Sequence, residues 1–267
     1  VRIDTHVHFW RYSPKEYGWI SDEMAALRRD FLPEDLAQPL TAAGLHGVIA
    51  VQARTTEHET EFLLRLMDDS PIIQGIVGWF DLTEPDIGTR LADIDPRIVG
   101  FREILQGQPD EVLMQPELAR GIRALAEHRL SYDLLIYERQ LPAAIHLVDR
   151  CPETTFVLDH LAKPQMLGGP SLTWRDQIAR LAERPNVIAK VSGLATEFAP
   201  PQSGPTLFAP YVSHLRACFS DDRLLFGSDW PVSILAGPYG TVATDLLDAV
   251  PFAAEQARRA YPRLAES

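Results

Sequence analysis

The chain has 267 residues, 46% of them hydrophobic, with a formal net charge of -12 and no run of Lys or Arg. That length admits one α/β domain of barrel size, and the acidic balance argues against nucleic acid or an anionic membrane as a partner. No apolar run nears the roughly 20 residues that cross a bilayer, and no basic-then-apolar leader precedes the first strand. The two cysteines, Cys151 and Cys218, lack metal-ligand spacing, so two buried thiols in a reducing, cytoplasmic compartment are expected.

The first predicted strand, 2–8, carries Asp4-Thr5-His6-Val7-His8. Alternation with period two turns His6 and His8 to one face, where both imidazoles can converge on one ion or one substrate atom. An irregular stretch, 11–31, follows. A helix over 34–43 starts after Pro33, which suits a first helical turn, and stops at Gly44. Further β-branched strands are expected at 47–52, 73–79, 99–103, 132–137, 155–160, 187–192 and 224–229. The gaps carry helical periodicity, plainest at 115–128, 140–150 and 174–183. A second irregular stretch, 199–210, holds Pro200, Pro201, Pro205 and Pro210.

Continuous Val, Ile and Leu runs mark strands covered on both faces, and eight βα units in series predict a single-domain (β/α)8 barrel over 1–267. The two irregular stretches then fall at βα loops, where they either wall the pocket or are ordinary surface. Several polar residues land at the C-terminal strand tips, the catalytic face of such a barrel: His6, His8, Gln52, Trp79, Arg102 with Glu103, Tyr137, His160, Ser192, and Asp229 with Trp230. The five other histidines, His46, His58, His128, His146 and His214, fall before a strand or in helices and read as structural or solvated. Adjacent Arg102 and Glu103 should face opposite ways, so only one reaches the pocket. Asp159 should face outward toward the helices, while Lys163 either reaches over the pocket or is solvated. Trp10, Trp79 and Trp230 are candidates to stack on a substrate ring, and Gln52, Arg102 and Tyr137 to bind its polar groups. Trp19 and Trp174 have no such address.

A first strand ending His-x-His and an aspartate closing the eighth resemble the amidohydrolase superfamily, and Phe226-Gly-Ser-Asp-Trp-Pro231 resembles its amidohydrolase-2 branch. Val157-Leu-Asp-His160-Leu-Ala-Lys163-Pro164, Gly100-Phe-Arg102, Tyr132-Asp133-Leu-Leu and Lys190-Val-Ser-Gly-Leu-Ala-Thr-Glu197 are similar to the sugar-lactonase group within it. The resemblance spans residue 3 to about 235 and implies a hydrolase that opens a sugar-acid lactone. Binuclear members supply a Lys or Glu from strand four and histidines from strands five and six. This chain has Glu103, Tyr137 and His160 there. With one histidine missing, the resemblance implies one divalent ion, zinc or manganese, held by some of His6, His8, Glu103, His160 and Asp229, or none.

Lactone hydrolysis needs a nucleophilic water, an electrophilic carbonyl and a proton for the departing alkoxide. Asp229 is the expected general base, its carboxyl raised by burial beneath Trp230 or pulled down by a nearby cation. His6, His8 and His160 are expected to activate the carbonyl, and Arg102, Gln52, Trp79, Tyr137, Lys163 and Trp230 to bind substrate. The competing reading of Asp229 is a cap for the following helix. Alternative activities are a metal-dependent decarboxylase or amide hydrolase, or a non-catalytic sugar-binding barrel. Decarboxylases of the branch carry His-x-Gly-Gly where this chain has His160-Leu-Ala-Lys-Pro.

Overall fold

The Val-, Ile- and Leu-rich stretches form eight parallel strands in the computed structural model, which describes residues 2–166, 168–197, 205–247, 250 and 254–265. They are β1 (Ile3–Val7), β2 (Gly47–Val51), β3 (Ile73–Gly78), β4 (Ile98–Ile104), β5 (Ser131–Leu135), β6 (Phe156–Leu158), β7 (Val187–Val191) and β8 (Leu224–Phe226). Each pairs with the next in chain order, as a (β/α)8 barrel requires. All eight are buried on both faces except single positions in β3 and the C-terminal end of β4, consistent with their unbroken hydrophobicity.

The expected helices appear as Pro33–Ala42, Pro116–Glu127, Leu141–Asp149 and Leu172–Ala182. Side-chain caps start two of the helices: Thr56 Oγ1 accepts from Glu59 N–H at 3.3 Å, and Ser171 Oγ from Trp174 N–H at 3.0 Å. Pro205 and Pro210 belong to a helix, Pro205–Cys218, rather than to a loop, while residues 199–204 of the second irregular stretch lie outside the described residues. Cys151 is buried, but Cys218 is only partly so, contrary to expectation. Among the described residues no helix is long and apolar enough to cross a membrane.

Residues flanking the functional motifs close the seam between β8 and β1. His8 N–H donates to the Trp230 carbonyl at 2.7 Å and Asp229 N–H to the His6 carbonyl at 2.9 Å. Below them the buried Asp4 carboxylate accepts from Ser228 N–H at 2.9 Å and from the Tyr239 hydroxyl at 3.0 Å. Barrel closure therefore brings the first and last strand tips together without further devices. At the opposite end Ala257, Ala260, Tyr261 and Leu264 pack with Ile3, Val51, Val99 and Leu225 inside the barrel. Tyr261 there donates its hydroxyl to Asp133 Oδ2 at 2.8 Å.

Candidate active site

His6 points into the barrel from β1 and is fully buried, and His8 sits just beyond the strand end. Their Nε2 atoms are 3.2 Å apart, and Asp229 Oδ1 lies 3.7 Å from the first and 3.4 Å from the second. The Asp229 backbone is left-handed, φ 60°, which turns its side chain back over the strand tips. The short helix that follows, Val232–Leu235, has Pro231 at its N-terminus and no side-chain cap. The carboxylate faces imidazoles instead, so the capping reading loses its support.

His160 arrives by an unusual route. β6 ends at Leu158, two residues earlier than expected, and His160, Leu161, Ala162 and Lys163 all have positive φ, 52°, 55°, 60° and 44°. Left-handed backbone costs a non-glycine residue on the order of 1 kcal/mol, and such strain collects at functional sites. The Trp174 indole N–H holds the turn by donating to the Leu161 carbonyl at 2.9 Å. His160 thereby stands 4.5 Å, ring centre to ring centre, from His6, with its Nδ1 2.8 Å from Ser192 Oγ. Gly193 makes room for it: a Cβ there would lie 2.6 Å from His160 Nδ1.

The early end of β6 also corrects the expectation for Asp159. Strand alternation no longer applies, and the carboxylate lies inside the barrel. Its Oδ2 accepts from Arg102 Nη1 at 2.9 Å, and its Oδ1 is 2.9 Å from Lys190 Nζ and 3.4 Å from His6 Nδ1. Lys190 also donates to Asp133 Oδ2 at 2.7 Å and to His6 Nδ1 at 3.2 Å. Neither Lys190 nor Asp133 was a candidate from sequence, because a Lys or Asp within an apolar strand reads equally well as a strand end.

Of the strand-four pair, Arg102 faces the barrel. Glu103 turns away, accepting from the Trp79 indole N–H at 2.6 Å, and borders a separate small cavity of about 150 Å³. Glu103 is therefore absent from the groups whose donor atoms converge, and Trp79 is its partner rather than part of the main pocket. Gln52 lies beneath Arg102: its Nε2 donates to the Arg102 carbonyl at 2.9 Å, and Arg102 Nη2 donates to the Gln52 carbonyl. Trp230 is buried against Phe9 and Phe31, and Trp10 against Tyr17 and Phe31, so neither offers a face to a ligand.

A cavity of about 420 Å³ opens above these groups, with His8, Arg102, His160 and Asp229 at its floor. Tyr137 and Lys163 line it as expected. Trp19, set aside on sequence, also lines it, as do Met24 and Gln106. Trp19 and Met24 come from the 11–31 stretch, whose ends are clamped by paired backbone hydrogen bonds between Trp10 and Phe31, both 2.9 Å. That stretch is a wall of the pocket.

Burial holds the His6 imidazole well below its ordinary pKa and brings His160 down to about 4, so both are neutral near pH 7. Burial alone would raise Asp229, but His160 opposite, the His8 hydrogen bond and His6 outweigh it. The carboxyl stays well below the usual range and is ionised. Of the two directions expected from sequence, the downward one prevails.

The site suits a divalent cation. His8 Nδ1 must donate to the Val51 carbonyl, 2.7 Å away, which fixes the ring with Nε2 turned inward, the orientation a ligating histidine needs. Donor atoms of His6, His8 and Asp229 lie within 4.8 Å of one another, as do those of His6, Asp159 and His160. In the second set Lys190 and Arg102 already neutralise the carboxylate, so the first set is the better fit.

The amidohydrolase family model matches residues 3–261. An L-fucono-1,5-lactonase of Burkholderia multivorans is 39% identical over 259 residues, covering 91% of this chain and 86% of that protein. One from Burkholderia ambifaria is 37% identical over 242 residues, covering 90% and 83%. An amidohydrolase of Burkholderia multivorans solved with bound zinc superposes with a TM-score of 0.89 at 36% identity, covering 99% of this chain and 97% of that one.

Proposed function

The chain belongs to the amidohydrolase family, and on that premise we propose that it hydrolyses a small, uncharged sugar-acid lactone, with Asp229 as general base. The observation that carries this is an ionised Asp229 within 3.7 Å of two imidazoles at the floor of a cavity whose lining cations are already matched. Arg102 faces Asp159 at 2.9 Å, and Lys163 faces Glu197 at 3.5 Å. A neutral polyol fits such a pocket better than the carboxylate a decarboxylase would need. The lactone specificity of the two Burkholderia relatives points the same way.

In the reaction, water attacks the lactone carbonyl and its proton passes to Asp229 as the new C–O bond forms. The ring C–O bond then breaks and Asp229 returns the proton to the departing alkoxide, giving the open hydroxy acid. His6 and His160 face the developing oxyanion, with Arg102 behind them, while His8, whose N–H is committed to the Val51 carbonyl, is left to act through a cation rather than as a donor to the oxyanion. A single zinc or manganese ion held by His6, His8 and Asp229 would add Lewis-acid polarisation of the carbonyl when bound. Trp19 and Tyr137, 42% and 40% exposed, offer ring faces to the sugar, and Gln106 and Lys163 offer polar atoms to its hydroxyls. The free thiols Cys151 and Cys218 accord with a cytoplasmic setting.

A panel of aldonolactones in weakly buffered solution with a pH indicator tests the reading. Acid release is expected from at least one member, with kcat/KM of about 10⁴ M⁻¹s⁻¹ or more. A panel without acid release, with carbon dioxide evolved from an aromatic acid instead, would replace lactonase by decarboxylase. On the reactive lactone, Gly193→Ala is expected to cut kcat on the order of 100-fold, the scale of a 1 Å displacement of a catalytic group, because the new methyl drives His160 aside. Full activity in that variant would remove His160 from the chemistry.

A further inference from the structure

We infer that Arg54 is a positioning residue for substrate binding: it ties the 11–31 wall to the tip of β2 and so holds the Trp19 ring over the pocket.

The Arg54 side chain makes three contacts in two directions. On the barrel side its Nε donates to Glu59 Oε2. Glu59 lies in the first turn of the helix Glu57–Asp69, and its side chain is fully buried. Its other oxygen accepts from Ala53 N–H at 2.5 Å, which fixes the carboxylate against the end of β2. On the wall side Arg54 Nη1 lies 2.8 Å from Glu16 Oε1, and the guanidinium carbon stands 4.9 Å from the centre of the Tyr17 ring. A planar guanidinium can serve a carboxylate at each edge and an aromatic ring on its face, which a single ammonium cannot.

The anchored segment is the one that carries Trp19. Tyr17 and Ile20, 1% and 2% exposed, close a turn in which Ile20 N–H donates to the Tyr17 carbonyl at 3.0 Å. Gly18 and Trp19 are its two central residues, so the placement of Tyr17 decides where Trp19 points. The Trp19 ring meets Trp10 edge-on at 5.8 Å and otherwise lines the main cavity. Arg28 Nη2 also holds the turn, donating to the Ile20 carbonyl at 3.1 Å, but both residues belong to the stretch itself. Arg54 joins the stretch to the barrel. Glu59 in turn keeps Arg54 in place, because a fully buried carboxylate without its cation is costly.

Arg54 is not among the residues that line the cavity, so it acts through Trp19. A ring that lies against the substrate equally in the ground and transition states changes KM and leaves kcat. That consequence rests on the lactonase reading, whereas the order of the wall is measured without substrate.

Hydrogen exchange read by mass spectrometry on the substrate-free protein is expected to show faster exchange across 11–31 in Arg54→Met, while peptides from β5 to β7 keep their protection. On the reactive lactone, Arg54→Met should raise KM about 5- to 10-fold, the scale of a lost aromatic contact, and hold kcat within about twofold. Trp19→Ala should raise KM by a similar factor, and adding Arg54→Met to it should raise KM no further, since the ring it positions is gone. Should Arg54→Met fail to fold, Arg54→Met combined with Glu59→Gln removes opposite charges together while Gln still accepts from Ala53 N–H, and the same outcomes are expected. Unchanged exchange across 11–31 overturns the inference. So does a KM rise that persists in full in the Trp19→Ala background, or a loss of kcat at constant KM. If no lactone is hydrolysed, the lactonase reading fails and the exchange measurement alone decides whether Arg54 holds the wall.

Discussion

Asp229→Asn is expected to leave a folded protein that binds lactone with little change in KM but turns it over roughly 100-fold or more slowly, the scale of a lost general base. Asparagine tolerates the left-handed backbone of this position, φ 60°, better than most residues, so the turn should persist. The seam bond from the residue 229 N–H to the His6 carbonyl is a main-chain contact and survives the change. What disappears is the charge facing the imidazoles. Steady-state kinetics beside a thermal melt on this one variant decide the matter. Near-normal kcat with an unchanged melting temperature would leave Asp229 without a chemical role.

The barrel and the His-x-His, Asp frame were legible because they rest on strong local signals. Strands buried on both faces are written as continuous Val, Ile and Leu runs, and His6, His8 and Asp229 lie at strand tips that barrel closure necessarily joins. Asp159, Lys190, Glu103 and Trp19 were not legible, each for its own reason. The side on which Asp159 emerges depends on where β6 stops, and a left-handed run at 160–163 has no glycine to announce it. Lys190 sits in a strand whose neighbours are apolar, and only the third dimension reveals that Asp133 and Asp159 await it. Glu103 fell at the position of a family ligand, yet alternation gave that direction to Arg102. Trp19 lies in an irregular stretch, where long-range folding of the segment between Trp10 and Phe31 decides which side chains reach the pocket.

Arg102→Met is expected to lower stability by about 3–5 kcal/mol, the usual result of removing one partner from a buried ion pair, and to depress the melting temperature by roughly 10 °C. Arg102 is only 3% exposed. It bonds Asp159 and the Gln52 carbonyl at once, so the substitution leaves Asp159 and Asp133 to share the single Lys190 ammonium, one buried negative charge in excess, and strands a carbonyl in the barrel. Arg102→Lys should recover little, since a single ammonium cannot span both acceptors as the guanidinium fork does. Asp159→Asn in the Arg102→Met background should restore part of the loss, because the excess charge is gone, and the double-mutant cycle should give a coupling of about 1 kcal/mol or more. The alternative role, in which Arg102 serves only to bind substrate hydroxyls, makes the opposite forecast. KM would rise while the melting temperature and the coupling to Asp159 stayed near zero change. Thermal melts on the four proteins of the cycle separate the two roles before any substrate is added, because the excess buried negative charge at Asp159 is felt by the fold whether or not a lactone is bound.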